Sequence, residues 1–91
     1  MTLAEVPAGW RARLVHWEAT PPQRRQQLRA YGISESSWMH VLQHSPTTII
    51  RVEGTELGLE RELAATILVD QVQPVHATIG PSAASGGSAT S

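Results

Sequence analysis

Cysteine is absent from the 91-residue chain, which excludes thiolate zinc sites, iron–sulfur clusters, disulfides and thiol nucleophiles. Lysine is absent as well. Seven arginines stand against eight carboxylates, and a net charge of −1 lacks the basic excess of a domain built for a phosphate backbone. The longest apolar runs, such as Ala64-Ala65-Thr66-Ile67-Leu68-Val69, fall far short of the ~20 residues of a membrane span. The N-terminus has no charged stretch leading into a long apolar one. Also missing are a phosphate-cradling glycine loop, a nucleophile elbow and a His-Glu-x-x-His helix. These absences point to a soluble, cytoplasmic, non-enzymatic chain with no membrane insertion and no nucleic-acid partner.

The length allows one domain and too little chain for two cores. Charge is distributed unevenly along it. Residues 1–31 hold five arginines against Glu5 and Glu18, and the remainder holds two against six acids. A basic half and an acidic half can orient a docking partner. Both ends read as appendages: residues 1–8 as an N-terminal arm whose Leu3 and Val6 pack on the domain, and residues 77–91 as a tail. From Gly80 onward that tail has no charged side chain and nothing larger than threonine. It cannot bury enough surface to offset its ordering entropy, so disorder is expected. The domain itself is assigned to residues 9–76.

Within it, Trp10 to Trp17 alternates as a strand with Ala12 and Leu14 on one face. Thr20-Pro21-Pro22 reads as a helix start, with Thr20 as N-cap and Pro21 at the first helical position. The helix is expected to run from Pro21 to Tyr31, with Leu28 and Tyr31 sharing its buried stripe and Arg24, Arg25 and Arg29 facing water. Gly32 supplies the left-handed residue that ends it, and Ile33 folds back. Trp38–Gln43 is a strand with Met39 and Val41 inward and Trp38, His40 and Leu42 outward. Residues 49–53 form its partner, Gly54-Thr55 a tight turn and 56–59 a third strand. Residues 60–65 make a helical turn, and 67–69 a last strand. The expected core is Leu14, Leu28, Ile33, Met39, Val41, Ile50, Val52, Leu57, Leu59, Ala64, Ile67 and Val69. About five short strands, one helix after the first and a helical turn before the last describe a mainly β, SH3-like barrel that side chains can fill.

Residues 9–73 resemble the FeoA family, small cytoplasmic partners of the FeoB ferrous-iron permease. The features that carry the resemblance are Gly9 before the first strand, the arginine-rich helix 23–31, Leu28-x-x-Tyr31-Gly32-Ile33 and Met39-x-Val41. They continue with Ile50-x-Val52-x-Gly54, Leu57-x-Leu59 and Ala64-x-x-Ile67-x-Val69. The chain departs from the family at Glu35-Ser36, where a Pro-Gly turn is usual, and its loop 43–48 is shorter than usual. The resemblance implies an accessory role in ferrous-iron uptake, through docking on the GTPase part of a FeoB-type permease. The alternative is a transition-metal-binding module like the SH3-like domains of iron-dependent repressors, which the absence of thiols and of tight His/carboxylate spacing disfavours.

Several residues suggest chemistry. His40 and His44 lie on one strand face about 13 Å apart at ~3.3 Å per residue, too far to share a metal whose donors sit ~2 Å from it. No metal ligand set and no cofactor is therefore assigned, beyond weak divalent-metal binding. Glu53, Glu56, Glu60 and Glu62 form an acidic group, but paired-carboxylate chemistry needs a substrate cleft that so small a barrel does not offer. Trp38 and Trp17 are candidate docking anchors, since aromatic anchors dominate interface energies. The partner-binding set is assigned to Trp38 and His40 at the centre with Arg24, Arg25 and Arg29 as an electrostatic rim.

Overall fold

The computed structural model describes residues 1–75; the expected tail 77–91, and His76 at the expected domain boundary, lie outside the described residues. A 3₁₀ turn at Leu3–Glu5 precedes β1 (Trp10–His16), α1 (Pro22–Ala30), β2 (Trp38–Gln43), β3 (Thr48–Val52), β4 (Thr55–Leu59), α2 (Arg61–Ala64) and β5 (Leu68–Pro74). All five strands belong to one antiparallel sheet in the order β4-β3-β2-β1-β5. The fold is the expected small, mainly β, SH3-like one, left open between its edge strands. β4 and β5 do not pair with each other. The outer edge of β5 is occupied instead by the start of the chain: Val69 N–H donates to Met1 O and Leu3 N–H to Ile67 O, both at 2.9 Å.

α1 begins one residue later than the sequence suggests, and Thr20 is not its cap. Pro21, at φ −54° and ψ 139°, is the N-cap and Pro22 the first helical residue. A residue that precedes proline is pushed out of the helical region, so Pro21 cannot be helical when Pro22 is. Thr20 is buried, its hydroxyl 2.7 Å from that of Thr66. At the other end, Gly32 adopts φ 96°. Its N–H donates to Arg29 O at 2.9 Å and that of Ile33 to Leu28 O at 3.1 Å, the paired bonds of a Schellman ending. Tyr31 is the C-cap residue, no longer in helical phase, so it does not share the buried stripe with Leu28: Tyr31 is 56% exposed and Leu28 4%.

The β3–β4 turn lies one residue earlier than expected. Val52 pairs with Thr55 across a two-residue loop, Glu53 at φ 49° and Gly54 at φ 84°. Two successive positive φ values define a type I′ hairpin, whose twist matches that of the strands it joins. β5 extends past Val69 to Pro74, paired with β1 through a register shift near Gln71, which has φ 52°. Its polar residues Asp70, Gln71 and Gln73 interrupt the alternation that would have announced it.

One core fills the concave side of the sheet. Eleven of the twelve expected residues are buried in it, and Leu57 packs against it half-exposed. The core also takes Leu3, Val6, Trp17 and Leu63. Residues 1–8 are thus packed into the domain through two fully buried side chains. His44 fastens them further: its Nε2 hydrogen-bonds the Val6 carbonyl and its Nδ1 lies 3.0 Å from the Thr48 hydroxyl.

Candidate functional site

Strand parity alone selects the residues of the outward face. With Ala12, Leu14, Met39, Val41, Ile50 and Val52 inward, Arg11, Arg13, Trp38, His40 and Arg51 must point out. Register then sets them in rows. One row runs Glu56, Arg51, His40, Arg11, Gln73 across all five strands. A second runs Trp38, Arg13, Asp70. Within the first row Arg51 Nη2 reaches Glu56 Oε2 at 2.7 Å, and Arg11 Nη2 reaches Gln73 Oε1 at 3.3 Å. Within the second, Arg13 Nε and Nη2 donate to the two Asp70 oxygens at 3.2 Å each.

Trp38 is 37% exposed, and the Arg11 guanidinium carbon stands 4.6 Å from its ring centroid. That is a cation–π contact on the diagonal between adjacent strands. Among the described residues Arg13 and Arg51 each have a carboxylate partner and Arg11 has none. The centre of the face is therefore an aromatic ring and a half-buried histidine beside an uncompensated positive charge. Arg11 was not singled out by the sequence; strand alternation and the β1–β2 register were needed to find it.

The helix arginines are engaged elsewhere. Arg24 grips Glu60, just before α2, through Nη1 and Nη2 at 2.8 Å each. The Arg24 guanidinium, and after it a main-chain hydrogen bond of its own, hold the Glu60 carboxyl down at about 2. Arg25 Nη1 donates to the Thr20 carbonyl at 2.7 Å, with the Trp17 and Glu18 carbonyls at 3.4 Å. Arg29 lies 5.2 Å over the Trp17 ring. Trp17 is 2% exposed, with its indole N–H donating to Glu35 Oε2 at 3.1 Å, so it is a core residue and not a docking anchor. Pairing with Arg11 and Arg13 falls to Trp38, while α1 and its arginines hold the β1–α1 loop and α2.

Among the described residues no group of three or more histidines and carboxylates converges. His44 spends both ring nitrogens on Val6 and Thr48, and His40 stands in the row between Arg51 and Arg11.

A model of the FeoA domain matches residues 1–71. The chain belongs to the FeoA family. Solved structures agree with that placement. The FeoA protein of Chlorobium tepidum is 26% identical with a TM-score of 0.71, over 89% of this chain and 76% of that one. A Stenotrophomonas maltophilia FeoA complexed with zinc, described as a prokaryotic SH3 domain protein, shares 23% identity at a TM-score of 0.61, over 77% and 89% of the two chains. A manganese-dependent transcriptional repressor shares the fold at 19% identity and a TM-score of 0.66, over 76% of this chain but 40% of its own. No match is found among curated proteins. No helix among the described residues is long and apolar enough to cross a membrane.

Proposed function

We propose that this FeoA-family chain is a non-enzymatic accessory protein of ferrous-iron uptake that docks on the cytoplasmic GTPase part of a FeoB-type permease. The observation that carries the reading is the family match over residues 1–71. The contact chemistry of the outward face supports the reading. Trp38 and His40 form its centre and Arg11 and Arg13 stand beside them, while Arg24, Arg25 and Arg29 of α1 are engaged with Glu60, the β1–α1 loop carbonyls and the Trp17 ring and take no part in this face. An aromatic residue beside arginine is the usual make-up of an interface hot spot. Arg11, with no carboxylate partner, attracts an acidic patch on the other protein. Docking regulates by differential affinity: the partner conformation that binds this face better becomes the more populated one.

Calorimetric titration of the chain into the cytoplasmic GTPase domain of such a permease tests the reading. A one-to-one complex that weakens with added salt is expected; no heat and no complex at high micromolar concentration would refute it. A second reading, a transition-metal-binding module, draws on the zinc-complexed relative and the repressor neighbour. Anaerobic titration with Fe²⁺, Mn²⁺ and Zn²⁺ separates the two. Weak binding is expected, because no three donors converge among the described residues. A sub-micromolar one-to-one site lost in His40→Ala would establish the metal reading instead.

A further inference from the structure

β4 is a sheet edge, and its pairing with β3 dictates where its main chain points. Val52 and Thr55 flank a two-residue loop, so they form a hydrogen-bonded pair. Alternation along the ladder then turns Thr55, Leu57 and Leu59 toward β3 and turns the amide and carbonyl of Glu56 and Gly58 away from it. Among the described residues no main-chain hydrogen bond reaches those groups from outside. Edge strands are ordinarily guarded by lysine, proline, a bulge or a covering segment. The β5 edge has such a cover in residues 1–3. β4 contains neither lysine nor proline, and its register with β3 runs from Val52–Thr55 to Thr48–Leu59 without a shift.

Beside this edge lies a groove of ≈ 300 Å³ between β4 and α1, walled by Glu56, Leu57, Gly58 and Leu59 on one side and by Arg24, Gln27, Leu28 and the exposed Tyr31 on the other, with the Arg24 charge turned to Glu60. Its surroundings are acidic: residues 53–62 hold four glutamates and one arginine. Arg51 pairs with Glu56 and Arg24 with Glu60. Glu53 and Glu62, before and after the strand, have no basic partner within 4.0 Å among the described residues.

We propose that the β4 edge and its groove receive an extended peptide segment of a partner protein, added as a further strand, with a large apolar residue in the groove and basic residues at its ends. The segment's main chain completes the ladder at Glu56 and Gly58, the mode of recognition known as β-augmentation. Its residue opposite Leu57 points inward between the strand and α1. The residues on either side of that one point to the outer face, where Gly58 has no side chain to obstruct them. Lysine or arginine at the ends meets Glu53 and Glu62. A second copy of this chain fits less well, because its own α1 would arrive on the side of the seam where the first already stands. The proposal rests on edge geometry and charge, and stands apart from the iron-uptake reading.

The test uses amide hydrogen exchange by NMR on the full chain, with the capped peptide Lys-Val-Thr-Leu-Thr-Val-Lys as probe. Peptide at millimolar concentration is expected to slow exchange at the Glu56 and Gly58 amides by about tenfold or more, and to shift the Leu28, Tyr31 and Leu57 signals. N-methylation of both threonines, whose amides face β4, should abolish the effect. Replacing both lysines by glutamate should weaken binding, most strongly at low salt. Unchanged exchange at both amides with saturating probe overturns the proposal. So does protection that rises with protein concentration before any peptide is added, since that would put a second copy on the edge.

Discussion

Ser36 holds a left-handed backbone, φ 75°, at the third position of the turn Ser34–Ser37, which is closed by Ser37 N–H on Ser34 O at 3.0 Å. A turn of this kind favours glycine there, because a side chain at positive φ crowds the carbonyl beside it. The substitution to Ser36→Gly exchanges ~1–2 kcal/mol of left-handed strain for ~0.5–1 kcal/mol of added chain entropy. A gain of ~0.5–1 kcal/mol is expected, read as a higher urea midpoint at unchanged m-value. A lower midpoint would show that the turn is not strained. Its neighbour Glu35, at the second position, has taken on the indole N–H of buried Trp17. The departure from the family's turn is therefore tied to a contact in the core. Trp17 and Trp38 could not be told apart by residue type. Parity placed Trp38 outward, while the loop after β1 turns Trp17 back into the core, and no spacing rule foretold that.

Helix and hairpin ends were legible where local chemistry decides them, and shifted by a residue where two local rules compete. The Gly32 stop of α1 needed only the glycine and the apolar residue after it. Its start was misplaced because Pro21 and Pro22 each compete for the first helical position, and the exclusion of helix before proline settles the order. The β3–β4 turn moved because Glu53 accepts positive φ alongside Gly54. The strand pairings that bring Arg11 over Trp38 are long-range and leave no mark in either segment alone.

The link between α1 and α2 has a pH signature. Glu60 in the folded chain titrates at about 2, below its ordinary 4.5, held down first by Arg24. A depressed carboxyl stabilises the fold fully above its unfolded pKa, and that contribution is lost as pH falls through the folded value. Both side chains are partly solvated, so the effect is modest. Between pH 4.5 and 2 the thermal midpoint should fall less steeply in Glu60→Gln than in the parent chain. Identical slopes would mean that the pair adds nothing.

At the scale of the whole molecule, a single core joins all five strands, both helices and the first residues of the chain. Leu59 lies in it at 2% exposure, and Leu59→Ala should cost ~2–5 kcal/mol, a large share of the ~5–15 kcal/mol available to a small domain. Chemical denaturation measures this directly; a loss below ~1 kcal/mol would place Leu59 outside the cooperative unit. Trp38 is different. Its inward neighbours Met39 and Val41 carry the packing, which leaves the tryptophan for the outer face. The decisive measurement compares the affinity of the parent chain and of Trp38→Ala for the cytoplasmic GTPase domain of a FeoB-type permease, with circular dichroism confirming that both are folded. A docking centre at Trp38 predicts a loss of about 30-fold or more, equivalent to ≥ ~2 kcal/mol, with the fold intact. Full affinity in a folded Trp38→Ala protein, or unfolding caused by that substitution, would contradict the account.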